Sequence, residues 1–192
     1  MSTKYQPVLG NDFGKLPSHL ENSAPIYKGK RFEVRHIGSR DVVIHPGAVV
    51  ILPLLDDNNI VLIRNERFAI SENLWELPAG TLEPKEHPQA TAEREIIEET
   101  GYEAGQMEYL TVFYTTPGFC NERMFAYVAK DLKFVGQNLD ATEKITVEKR
   151  SLNEALQMIR SGEIHDGKTI TTLLFYQCFF GAPKRQASNI EK

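Results

Sequence analysis

Apolar and polar positions alternate in "RFEVRHI" (31–37), and "DVVIH" (41–45) follows after a "GSR" break. That pattern predicts a small antiparallel β unit ahead of the main domain. Residues 1–23 carry no such period and are broken by Pro7, Gly10, Gly14 and Pro17, so an irregular arm is expected there. After His45-Pro46-Gly47 the pattern changes. "AVVILPLL" (48–55) is continuously apolar, residues 56–59 read as a turn, and "IVLIRNERF" (60–68) follows, which predicts a β-hairpin with a buried first strand. "LWELPAG" (74–80) predicts a short strand that turns sharply at Pro78 and Gly80.

Helical signals begin near residue 88. Pro84 and Pro88 keep 81–87 out of a helix, Pro88 suits a first helical position, and Gly101 suits the residue just past the last turn. A helix over about 88–100 is followed by strands at 107–116, 123–134 and 145–149, with Pro117 and Gly118 in the first loop between them. Ser151 and Glu154 have the spacing of a capping box, and Leu152, Leu156 and Ile159 mark the buried face of the helix it opens, with Gly162 ending it. A last helix, roughly 167–180, carries Leu173, Leu174, Phe175 and Phe179. The chain has no internal repeat and no low-complexity segment.

The helix over 88–100 poses a physical problem. With Glu95 as zero on a helical wheel, Glu99 falls at about 40° and Glu98 at about −60°, while Ile96 and Ile97 fall at about 100° and 200°. Ala90 joins Ile97 on an apolar side expected to face the core, and Glu93, at about 160°, lies off the acidic face. Like charges three and four residues apart repel by roughly 0.2–0.5 kcal/mol per pair. A bound dication would offset that cost, because clustered carboxylates are the hard oxygen ligands magnesium and manganese prefer.

Composition narrows the setting. The chain has 192 residues, 41% hydrophobic and 25% charged, the balance of an ordinary globular domain. A formal net charge of −4 argues against a general nucleic-acid binder, while leaving room for a small anion held by local arginines or a metal. Two distant cysteines, Cys120 and Cys178, make neither a disulfide framework nor a zinc site. The N-terminal residues lack the apolar stretch of a secretory signal, and the longest apolar run is too short to span a membrane, so the chain reads as cytoplasmic.

Gly80, Glu86, Arg94, Glu95, Ile96, Glu98, Glu99, Gly101 and Tyr102 match every fixed position of the Nudix box, G-x5-E-x7-R-E-U-x-E-E-x-G-U, where U is bulky and apolar and Tyr102 is an aromatic variant. The chain thus resembles the Nudix hydrolases, which cleave nucleoside diphosphates linked to another moiety with the help of divalent metals. The resemblance implies an α/β fold, an α/β/α sandwich with a mixed β-sheet. It implies two or more magnesium ions (manganese being an alternative) on Glu95, Glu98 and Glu99, with the Ala79 carbonyl as a further ligand. Glu86 and Arg94 would support the loop as an ion pair, and Glu99, Glu98 and Arg94 would belong to the catalytic set.

The flanks "HPGAVVILPLL", "IVLIRNERF", "LWELPAGTLEP" and "YTTPGFCNERMFAYVA" look like the ADP-ribose pyrophosphatase branch, which also holds GDP-mannose and related nucleotide-sugar pyrophosphatases. Pro117 stands where that branch carries a proline. By that resemblance Arg67 contacts the substrate phosphates or ribose, and Glu122 reaches the substrate or a metal. Glu143 is a catalytic acid or metal ligand, with Asp140 competing for the role. Trp75 reads as core rather than as a platform for the base. Residues 1–45 would form an arm and small β unit that swaps between subunits of a homodimer, with Tyr27 and Phe32 sandwiching the base, and 46–192 would form the Nudix domain. The expected reaction is hydrolysis of ADP-ribose to AMP and ribose 5-phosphate. The alternatives are a nucleotide-sugar pyrophosphatase of GDP-mannose type and a non-catalytic module that senses ADP-ribose.

Overall fold

The computed structural model describes residues 18–56, 58–139 and 144–180. Its first element is a single helical turn, α1 (Ser18–Glu21), inside the stretch expected to be irregular. Arg35 fixes it by donating from Nη1 to the carbonyl oxygens of Leu20 (2.7 Å) and Ser23 (2.8 Å), acceptors that a helix end leaves open. Three strands follow, β1 (Pro25–Lys28), β2 (Glu33–Ile37) and β3 (Arg40–Ile44), in one antiparallel sheet. Alternation predicted β2 and β3; β1 is too short for a period to show.

Next come β4 (Ala48–Pro53) and β5 (Asn59–Arg67), which do not form the expected hairpin. Among the described residues they share one isolated bridge, Leu54–Ile60. With the strands β6 (Glu72–Glu76), β7 (Ala79–Thr81), β8 (Tyr102–Tyr114), β9 (Arg123–Phe134) and β10 (Ile145–Ser151), they divide into two sheets, of order β7-β4-β9-β8 and β10-β5-β6. Every residue of β4 is buried, and its two edges are taken by β7, antiparallel, and β9, parallel, so no edge is left for β5. A continuous apolar run signals a strand covered on both faces without saying which neighbours cover it.

Helices lie on both faces of the mixed sheet. Val49 and Ile51 of β4 pack with Phe125 and Tyr127 against Ala92 and Ile96 of α2 (Pro88–Thr100). Val50 and Leu52 pack the other way, against Ile60 and Leu62 of β5, Leu152 and Ala155 of α3 (Leu152–Ser161), and Leu173 of α4 (Gly167–Phe179). The capping box at α3 is complete: Ser151 Oγ accepts from Glu154 N at 3.1 Å, and Glu154 Oε2 accepts from Ser151 N at 2.8 Å. Among the described residues no helix is long and apolar enough to cross a membrane.

Two expectations are corrected here. β8 starts at Tyr102, directly after Gly101, because it pairs with β9 from Tyr102–Phe134 to Tyr114–Arg123, with a bulge between Tyr109 and Thr111. In α2, Ile96 and Ile97 face the core as expected, Ile97 half-buried against it, but Ala90 does not. Ala90 is exposed, and Thr91, Ala92, Ile96, Glu99 and Thr100 are buried. The helix is rotated so that Glu99, 4% exposed, lies on the buried side. Apolarity alone missed this part of the buried side because a buried carboxylate cannot be foreseen from a hydrophobic pattern.

Candidate active site

The segment from β7 to α2 brings the acidic helix face against a strand edge. Gly80, in β7, lies so close to Glu95 that a Cβ there would sit 1.8 Å from Glu95 Cδ, so only glycine leaves room for the carboxylate. Gly101 ends α2 in the left-handed region (φ 74°), its N–H bonded to Ile97 O at 2.8 Å. A Cβ at Gly101 would meet Phe134 Cε2 at 2.8 Å, so both the turn and the packing favour glycine.

Arg94 is the hub of the acidic face. Its Nε and Nη2 donate to Glu86 Oε1 (3.2 Å) and Oε2 (3.1 Å), and its Nη1 donates to both Glu95 Oε1 (2.7 Å) and Glu98 Oε2 (2.8 Å). Burial works against the Arg94 charge, but its hydrogen bonds to the three carboxylates and the nearby charge of Glu95 outweigh it and hold the guanidinium pKa above its usual value. Glu86 is held below the usual glutamate range, chiefly by its hydrogen bond from Arg94. Glu86 Oε2 also accepts from Glu83 N (3.1 Å), which closes the loop ahead of α2. Glu99 turns the other way, accepting from the Ala79 N–H at 2.8 Å.

Among the described residues no three His, Cys, Asp or Glu side chains stand close enough to grip a metal as they are placed. The donor set nevertheless fits one. Glu95 and Glu98 already converge on a single cationic atom, Arg94 Nη1, and a divalent ion is the stronger partner for such a hard-oxygen pair.

This face opens into a cavity of about 950 Å³, near the upper end of the roughly 300–1,000 Å³ usual for small-molecule sites. Ala79, Arg94, Glu95, Glu98 and Glu99 line it on one side, and Arg67 and Glu122 line it on others. Arg67 is gripped by Glu76, Nε to Oε1 at 2.6 Å and Nη2 to Oε2 at 2.5 Å, and its pKa is raised, first by that hydrogen bond. Glu122 Oε2 accepts from Thr115 Oγ1 at 2.6 Å, and its Oε1 lies 3.4 Å from Nδ1 of His45. Desolvation pulls the His45 pKa down, so the imidazole is neutral near pH 7 and its Nδ1 accepts from Gly47 N at 3.2 Å.

A family model, the NUDIX domain, matches residues 44–172. The chain belongs to the Nudix family. Its relatives include a methanol dehydrogenase activator of Bacillus methanolicus, 42% identical over 140 residues, covering 72% of this chain and 76% of that protein. An ADP-ribose pyrophosphatase of Bacillus subtilis is 37% identical with the same coverage. A GDP-mannose pyrophosphatase of Citrobacter koseri is 37% identical over 136 residues, covering 66% of this chain and 71% of its own. In fold, the chain resembles a solved structure described as an ADP compounds hydrolase, with a TM-score of 0.68 at 20% identity, covering 82% of this chain and 90% of the other. The chain is accordingly a Nudix hydrolase of the pyrophosphatase kind.

Not every expected Nudix site residue reaches the cavity. Tyr27 and Phe32 are exposed at 56% and 42% on the outer sheet, their rings 6.1 Å apart, and line none of it. Pro117 sits in an exposed turn that packs along β3, where Val43 N donates to Phe119 O at 2.7 Å. Glu143 and Asp140 lie outside the described residues. Trp75 is half-buried against the core, with the guanidinium carbons of Arg64 and Arg150 at 5.0 and 5.4 Å from its ring centroid, away from the cavity. Residues that no sequence motif singled out also line the cavity, among them Arg31, Asp166 and Lys168. Arg31 adjoins Phe32 and has no motif of its own, and nothing in the sequence ties residues 166–168 to the Nudix box.

Proposed function

We propose that this Nudix hydrolase cleaves the pyrophosphate bond of ADP-ribose, giving AMP and ribose 5-phosphate. The observation that carries the reading is the shared cavity, in which the Glu95, Glu98 and Glu99 face stands with the open edge of Arg67. Five N–H groups belong to a guanidinium, and Glu76 engages the Nε and one Nη2 hydrogen. Among the described residues no hydrogen bond engages the remaining edge, which suits a phosphate taken by paired hydrogen bonds. Arg31 adds a second cation from the N-terminal side.

Glu95, Glu98, Glu99 and the Ala79 carbonyl are the groups to hold magnesium or manganese, two or more ions per site. Such ions, when bound, supply charge neutralisation at the diphosphate and a water acidic enough to act as nucleophile. The chain's own residues do the rest. Arg94 gathers Glu95 and Glu98, Gly80 gives Glu95 its space, and the Ala79 N–H holds Glu99. Glu122, steadied by Thr115, is an acceptor suited to a sugar hydroxyl or a metal-bound water, and Pro117 shapes the loop that carries it. Glu143, with Asp140 as its rival, is the candidate for activating the attacking water.

The exposed Ile26, Tyr27 and Phe32, together with Phe68 (96% exposed) and Ile70 at the cavity rim, form apolar surface of the kind that marks an interface. We assign it to a homodimer in which residues 1–45 cross to the partner and bring Tyr27 and Phe32 to the base. Sedimentation at micromolar concentration should give a dimer, and a monomer would count against that assignment. Both cysteines are free thiols, in keeping with a cytoplasmic protein.

The likeness to a GDP-mannose pyrophosphatase supports a second reading with the same bond cleaved. One substrate panel with magnesium separates the two: ADP-ribose, GDP-mannose, UDP-glucose, NADH and diadenosine polyphosphates, with products identified by chromatography. AMP and ribose 5-phosphate formed fastest from ADP-ribose is the expected result. Preferential turnover of GDP-mannose would move the protein to the second reading. Binding of ADP-ribose with no turnover of any member would instead make it a sensing module.

A further inference from the structure

Glu76 is fully buried, yet it is a carboxylate. Such a group is costly unless each oxygen is paired and hydrogen-bonded. Here Oε1 accepts from Arg67 Nε, and Oε2 accepts from Arg67 Nη2 and from Lys168 Nζ, both at 2.5 Å. Lys168 also lies 3.0 Å from Asp166 Oδ2, and its side chain is only 11% exposed. The four charges therefore alternate along one chain: Asp166, Lys168, Glu76, Arg67.

Helix stability does not explain Lys168. It is the second residue of α4, where the helix dipole disfavours a cation. Asp166 is the N-cap of that helix, accepting from Thr169 N at 3.0 Å and from Thr169 Oγ1 at 2.6 Å. Beside Glu76, Leu77 N donates to Thr169 Oγ1 at 2.9 Å. The start of α4 is thus latched to the end of β6, and the lysine is spent on the carboxylate that grips Arg67.

We propose that Glu76 and Lys168 are positioning residues for substrate binding: Glu76 aims Arg67 into the cavity, and Lys168 fixes Glu76 through the Oε2 that Arg67 Nη2 also engages. The proposal rests on the cavity being a site for a diphosphate. A guanidinium held along its Nε–Nη2 edge presents its opposite edge in one orientation, so less freedom is lost when phosphate binds. Lys168 also keeps this wall neutral. Without it, Asp166 and Glu76 outweigh Arg67 by one negative charge, which repels a polyanion.

Steady-state kinetics of Glu76→Gln, Lys168→Met and Lys168→Arg test this, on whichever panel substrate the wild type turns over best. Glu76→Gln and Lys168→Met should raise KM about tenfold, with the smaller part of the loss in kcat, as expected when a contact shared by ground and transition states weakens. Lys168→Arg, which keeps the charge, should restore most of the affinity. The decisive comparison is made in an Arg67→Met background. There Glu76→Gln should add less than about twofold to KM, because its effect runs through Arg67. An unchanged KM in a folded Glu76→Gln protein, or a full additional rise in the Arg67→Met background, would overturn the proposal. Were no panel member hydrolysed, the reading of the reaction would fail by itself. The same cycle read by calorimetric binding of inorganic pyrophosphate with magnesium would still decide the role of Glu76.

Discussion

Two arginine-centred clusters face the same cavity and are built on opposite principles. The Arg94 cluster is local, drawing Glu86, Glu95 and Glu98 from one loop and one helix, and its members keep contact with solvent, 29% for Arg94 and 32% for Glu98. The Arg67 cluster joins β5, β6 and the start of α4 around Glu76, which has no exposure at all. The first is an exchangeable arrangement: the carboxylates that Arg94 gathers can trade its Nη1 for a stronger cation. The second is fixed in place, because the fully buried Glu76 depends on its two cations for compensation. The surface proposed to admit ions and the wall proposed to hold Arg67 still thus differ in their exposure to solvent.

The sharpest way to break the comparison is at Glu99. Glu99→Gln keeps an oxygen able to accept from the Ala79 N–H but loses the charge. Turnover should fall about a thousandfold or more, with the melting temperature nearly unchanged. Near-normal rates would remove the acidic face from the chemistry. Glu76→Ala should instead act on stability. It takes the shared acceptor from Arg67 and leaves the nearly buried Lys168 with Asp166 alone, and should cost about 2–3 kcal/mol in urea unfolding. Glu98→Gln, in the exposed cluster, should cost under about 1 kcal/mol, and equal losses at the two sites would erase the distinction drawn here.

Gly80→Ala probes how tightly the exchangeable cluster is seated. The new Cβ must displace Glu95, and about a hundredfold loss of activity is expected from a shift on the scale of an ångström. A variant of normal activity would mean that Glu95 has no fixed place in the reaction.

The smallest effect is in pH. The Glu86 pKa is lowered in the folded protein, so its ion pair adds stability above the unfolded value near 4.3 and loses it as pH falls through the lower folded value. Wild type should therefore lose its advantage over Glu86→Gln on acidification below about pH 4. A difference in melting temperature that is constant from pH 7 to pH 3 would contradict the pairing with Arg94.

Much of this was legible because the signals were local. Pro88, Gly101 and the acidic spacing delimited α2 to the residue, and Ser151 with Glu154 set the start of α3. Local spacing misjudged the burial of α2 at two places, since Ala90 looked apolar and Glu99 did not. It also joined β4 to β5, because neighbours in sequence usually pair, whereas the edges of β4 had been claimed by β7 and β9.

By itself, then, the sequence determined the acidic helix of the Nudix box, the glycines that its carboxylates and turn require, and the family. Each depends on residues within one loop or a few helical turns of one another, where spacing is geometry. Tertiary structure alone decided that Lys168 lies beside Glu76, that Arg31 reaches the cavity and that Tyr27 and Phe32 do not line the cavity of their own chain. Those placements follow from how two sheets and a distant helix close over a common core. No periodicity in the chain encodes a contact between residues 92 positions apart.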